Sequence, residues 1–214
     1  MRLIFTFAAI SLAAIGTALT AGPPATNWEI GPVIRGKNYS VNMPLTPTPN
    51  EFGWFFDFPY SAKANGHVHY VTFNPRSLEE ATSIKVRYRV QAGSKTRFVP
   101  QEHPHLPGTV SLFFQRQGDN WSAKGRYALY RWYAPAHTVQ EIVPGVHEMT
   151  VKINDPLWVS VVGGMKASDR PEAFYEALTH AGSVGLVFGS TAARGHGVYA
   201  TAPARFQLVD FEIR

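Results

Sequence analysis

The 214-residue chain carries 20 Lys/Arg against 15 Asp/Glu, a formal charge of +5, and only 16% charged residues. No Lys/Arg run is present, which argues against the basic stripe of a nucleic-acid-binding surface, and the absence of cysteine excludes disulfide stapling and a lipoprotein anchor. Aromatics at 13%, with 18 glycines and 16 prolines, favour short strands and frequent turns over helices.

The N-terminus reads MRLIFTFAAISLAAIGTALTAG: Arg2, an apolar run from Leu3 to Ile15, then small residues to Ala21. That is the layout of a secretory signal peptide over 1–21, too short and Ala-rich for a membrane span. Cleavage is expected after Ala21, with Ala18 as the alternative because Leu19 is a mediocre third residue before the cut. The expectation is a secreted or periplasmic protein whose residues 22–214 form a single domain, with no transmembrane segment left after cleavage.

Residues 22–50 hold six prolines and read as an extended entry. Strand candidates then follow in turn. In "NGHVHYVTF" alternation puts His67 and His69 on one face. "SIKVRYRVQA" alternates most cleanly, with Ile84, Val86, Tyr88 and Val90 inward and Lys85, Arg87, Arg89 and Gln91 outward. "TVSLFFQRQ" turns through Gly118-Asp119-Asn120 into "RYALYRWYA", a hairpin pattern. "HEMTVKI", "LWVSVVG", "SVGLVFGS" and "ARFQLVDFEIR" complete the set. One short helix is expected near 170–181, capped by Ser168 or Asp169, opened by Pro171 and stopped by Gly182. Eight or nine strands with one helix and no βαβ rhythm indicate an all-β, antiparallel β-sandwich or barrel, a jelly roll in particular.

The residue chemistry favours binding, of a glycan or another extracellular ligand, over catalysis. His67 and His69 resemble the start of a cupin metal site, but the first acid after them is Glu79, outside ligand spacing, so hydrogen-bonded polar-face histidines are the simpler reading. Asp210 and Glu212 share a strand face; they are candidate metal ligands, for structural calcium, or else a solvated edge. Serine-hydrolase, P-loop and dinucleotide fingerprints are missing, and the glycine-rich "GSTAARGHG" joins two strands where a phosphate cradle needs a helix. Arg87 and Arg89, with Arg131 and Tyr133 on another strand, offer donors and rings that suit a sugar. Trp54 and Trp121, in expected loops, are candidate platforms, and His67 and His69 are candidate ligand-facing residues.

The order of a basic alternating strand, "VPGVHEMTVKI" with "PLWVSVVGG", "GSVGLVFGS" and a terminal "ARFQLVDFEI" resembles the galactose-binding-like jelly roll of many carbohydrate-binding modules, over residues 60–214. The resemblance implies a non-catalytic glycan-binding domain with no cofactor beyond a structural Ca²⁺ near the first and last strands. The alternatives are a polysaccharide lyase or glycoside hydrolase on a jelly-roll fold, with Tyr, His and Arg as its working groups, and a His-dependent metal-binding protein.

Overall fold

The structure is a computed structural model and describes residues 22–162 and 164–214; the expected signal peptide lies outside the described residues. In chain order the strands begin with β1 (Glu29–Gly31), β2 (Val33–Ile34), β3 (Lys37–Asn38), β4 (Thr48–Asn50), β5 (Gly53–Asp57) and β6 (Tyr70–Phe73). Then come β7 (Ser83–Ala92), β8 (Phe98–Pro100), β9 (Thr109–Arg116), β10 (Arg131–Tyr133), β11 (Gln140–Glu141) and β12 (Gly145–Lys152). Finally β13 (Val159–Ser160) and helix α1 (Pro171–Thr179) precede β14 (Ala181–Gly189), β15 (Val198–Ala200) and β16 (Ala204–Ile213).

One sheet runs β1-β6-β14-β9-β10-β13, with β11 also on β9; the other runs β12-β7-β16-β5-β4. The long strands pair as a folded-up hairpin: β5 with β16, β6 with β14, β7 with β12, and β9 with β10, all antiparallel. Strands early in the chain thus pair with strands late in it, and the chain crosses between sheets as it goes. That is the jelly-roll arrangement of an antiparallel β-sandwich. The expected 109–134 hairpin is the β9–β10 pair, with Trp132 opposite Phe114.

Period-two alternation explains which residues fill the core. On β7, Ile84, Val86, Tyr88 and Val90 are buried while Arg87 and Arg89 are exposed. Rings dominate the space between the sheets, with Phe56 and Phe206 stacked at 5.3 Å and Phe188 edge-on to both. Each such fully buried side chain contributes about 1.5–3 kcal/mol. The helix starts with Pro171 in its first turn, as expected, but Arg170 is its N-cap. It ends at Thr179, and Gly182 falls inside β14 instead, where the backbone of Gln117 comes close enough to leave no room for a Cβ.

The two outer faces differ. The second sheet shows charged side chains to solvent, whereas β9 is buried on both faces from Thr109 to Gln115. The segments after β9 and β14 fold over the outside of the first sheet and make a second, smaller layer there, containing Tyr70, Phe113, Tyr133 and Val187.

Candidate functional site

Tyr70 of β6 and Tyr133 of β10 reach toward each other over the outer face of the first sheet, across β14 and β9, and their hydroxyls meet at 2.8 Å. Phe113 of β9 packs against both, with ring centroids 4.8 and 6.1 Å away. Burial, and then the neighbouring Tyr133, push the Tyr70 phenol well above its ordinary pKa. At neutral pH Tyr70 is therefore a hydrogen-bonding group and not a base.

The turn after β9 supplies a wall. Asp119 Oδ1 accepts from the Trp121 backbone N–H at 3.1 Å, an Asx-turn that holds Trp121 in left-handed backbone, φ +65°. Asp119 Oδ2 accepts from Gln115 Nε2 at 2.8 Å and lies 2.8 Å from Arg131 Nε, too poorly aligned for a hydrogen bond but a close ion pair. Arg131 Nη2 donates to the Trp121 carbonyl at 3.1 Å, and its guanidinium lies over the indole at 4.8 Å. Trp121 in turn stands edge-on to Tyr70 at 5.3 Å. The half-buried indole is thereby clamped from two sides.

Between this wall and the sheet lies a groove of about 230 Å³. Trp121, Tyr70 and Phe113 give it apolar surface, while Thr72, Gln115 and Ser183 line it with hydrogen-bonding groups. A larger pocket, about 560 Å³, lies beside α1 and is lined mainly by apolar surface from Phe174, Leu178 and Ile153. Few polar groups converge there, and orientation of a ligand needs them.

The ligand-facing residues singled out in the sequence fall in four places. Arg131, Tyr133 and Trp121 come together on the outer face of the first sheet, and of the three Trp121 lines the groove. Arg87 and Arg89 stand exposed on the outer face of the second sheet, with the core between them and the groove. Trp54, expected in a loop, is on β5 and only 1% exposed; it packs against Trp28 and Phe206. Its outward-platform role is corrected to a core role, and the alternation of Trp54, Phe56 and Phe58 was the available signal. His67 and His69, expected on a wet sheet face, precede β6 and are 9% and 7% exposed.

The histidine pair has a defined tautomer. His69 Nδ1 donates to the Gly195 carbonyl at 2.8 Å, leaving Nε2 to accept from His67 Nδ1 at 2.7 Å and Gln101 Nε2 at 3.1 Å. Burial first, then His67, lowers the His69 pKa to about 4, and burial lowers that of His67. The ring nitrogens that face each other are thus used up in hydrogen bonds.

Among the described residues no three His, Cys, Asp or Glu side chains group as metal ligands. Glu212 accepts from Arg214 Nε at 2.7 Å and hydrogen-bonds Asp210, so its carboxylate is engaged within the protein. Sequence reasoning missed Thr72, Asp119 and Arg194. Alternation through Tyr70 pointed to Thr72, and Gly118-Asp119-Asn120 was recognisable as a turn, but nothing local marks Arg194.

No protein-family profile and no curated protein matches the chain. Among solved structures it is similar to one described as "xylan-binding module CBM15", with 14% identity, a TM-score of 0.44, and coverage of 90% of this chain and 97% of that one. Among the described residues no helix is long and apolar enough to cross a membrane.

Proposed function

We propose that the protein binds a glycan, without transforming it, in the groove on the outer face of its first sheet. The observation that carries this reading is Trp121. Its ring is held in a strained backbone conformation by Asp119 and Arg131, beside a groove whose other walls alternate ring surface with hydrogen-bonding groups. Sugars present both kinds of surface, apolar C–H faces and hydroxyls, and a rigid aromatic with fixed polar neighbours recognises both at low entropic cost.

The acids support binding over hydrolysis. Glycoside hydrolysis uses two carboxyl groups flanking one bond. At this groove Asp119 is committed to Arg131 and fully buried, leaving Glu29 as the other groove-lining carboxylate among the described residues.

Titration calorimetry of the mature domain against soluble polysaccharides, xylans and polyuronates included, tests the reading. Trp121→Ala should weaken binding of any positive polymer by about tenfold or more, consistent with loss of a stacking platform. Unchanged affinity in a folded variant would place the site elsewhere; binding with release of reducing or unsaturated ends would make the protein an enzyme.

A further inference from the structure

Arg194 is a cation without a carboxylate. It comes from the segment after β14 and reaches back over the outer face of the first sheet, where its guanidinium lies 5.4 Å from the centroid of the Tyr133 ring. Its Nη1 donates to the Ala134 carbonyl. Among the described residues its remaining donors have no hydrogen-bond partner, and no Asp or Glu forms an ion pair with it. Arg131, on the same face, is by contrast neutralised by Asp119.

Arg194 is half-buried, and the donors it does not use on the protein face solvent, where an anion can reach them. Burial also lowers its pKa from the usual guanidinium value, although not enough to discharge an arginine. A second polar group on the face is unsatisfied as well. Ser111 sits opposite Val187 in the β9–β14 register, two residues from Phe113 and therefore on the same side, with its Oγ buried and unpartnered. The paired hydroxyls of Tyr70 and Tyr133 complete the setting.

We infer that Arg194 is the anchor for the carboxylate of a uronic acid residue, so that the glycan held on this face is an acidic one. A guanidinium is planar, and two of its parallel N–H bonds match the two oxygens of a carboxylate. The Tyr133 ring beneath the guanidinium holds the plane of that fork by a cation–π contact. This inference rests on the glycan reading for the nature of the polymer, but the carboxylate requirement is separable from it.

The experiment compares three polymers on the wild-type protein: a polyuronate, the same polymer after carboxyl reduction, and a sulfated neutral glycan. Binding of the polyuronate alone, weakened by about tenfold or more on reduction and equally in Arg194→Met, is the expected result, on the scale of a lost charge-assisted hydrogen bond. Arg194→Lys should recover only part of it, since the charge returns without the fork. Equal binding of native and reduced polymer would overturn the carboxylate while leaving glycan binding intact. Preference for the sulfated polymer would overturn it in favour of another anion. Failure of every polymer, and of free glucuronate by titration, would overturn both. The reduced-polymer comparison needs no variant, so it holds even if Arg194→Met fails to fold.

Discussion

Asp119 and Arg131 form an ion pair at 2.8 Å with the two side chains 0% and 7% exposed, and the same guanidinium lies over Trp121. The pair therefore couples the stability of the sheet face to the position of the ring proposed to meet the ligand.

Breaking a buried pair from one side strands the other charge. Arg131→Met should destabilise the domain by about 3–5 kcal/mol, whereas pairing it with Asp119→Leu should recover part of that loss, the rest being the acceptors that Trp121 N–H and Gln115 lose. Denaturant unfolding measures both. Acrylamide quenching gives a second readout, because the other tryptophans, Trp28, Trp54, Trp132 and Trp158, are all fully buried. Added quenching in folded Arg131→Met would come from Trp121. A single variant as stable as wild type would show that the pair does not act as described.

The buried His69 makes stability depend on pH. Its folded pKa of about 4 lies below the ordinary 6.5, so the unfolded chain takes up the proton more readily between these values. Stability is fully present above pH 6.5, falls as pH drops toward 4, and loses nothing further from this group below that. The total contribution is roughly 3 kcal/mol, from about 1.4 kcal/mol per pKa unit. His69→Gln should flatten that part of the profile in urea titrations at successive pH values. An unchanged slope would assign the pH dependence to other groups.

The contrast between β7 and the groove shows what the sequence could reveal. Ile84, Val86, Tyr88 and Val90 alternate within one strand, and a single local period determines which of them face inward. The groove is assembled from β1, β2, β6, β9, β14 and the segment after β9, while Arg194 reaches the same face from the segment after β14. Tyr70 meets Tyr133 across 63 positions of sequence, and His69 meets Gly195 across 126. No local pattern encodes such pairings. The basic strand was the conspicuous candidate because exposed Arg87 and Arg89 are easy to recognise, while the outer face of the first sheet reads as ordinary alternation until the covering segments are in place.

That contrast yields a paired test on β7. Arg87→Ala should leave both fold and glycan affinity within experimental error, since exposed substitutions shift stability by about ±0.5 kcal/mol or less. Val86→Asp one position earlier should unfold the domain by burying an unpaired charge. Circular dichroism and titration separate the two effects. A large loss of affinity in folded Arg87→Ala would move the binding face to the second sheet.

Two glycines distinguish backbone strain from crowding. Gly118 and Gly197 both have positive φ, +80° and +91°, where an L side chain is disfavoured. A Cβ at Gly118 meets nothing within 4 Å, whereas one at Gly197 would lie 2.5 Å from His69 Nε2 and 3.1 Å from His67 Nδ1. Gly118→Ala should therefore cost only the conformational penalty, about 1–2 kcal/mol. Gly197→Ala pays that and must also push the histidine pair apart. Because His69 Nδ1 holds the Gly195 carbonyl, next to Arg194, the displacement should carry to the guanidinium. The expected result is a larger loss of stability for Gly197→Ala and a weakened preference for the acidic polymer, with Gly118→Ala retaining that preference. Thermal melts and the polyuronate titration measure both, and equal behaviour of the two variants would show that the histidine pair does not position the segment bearing Arg194.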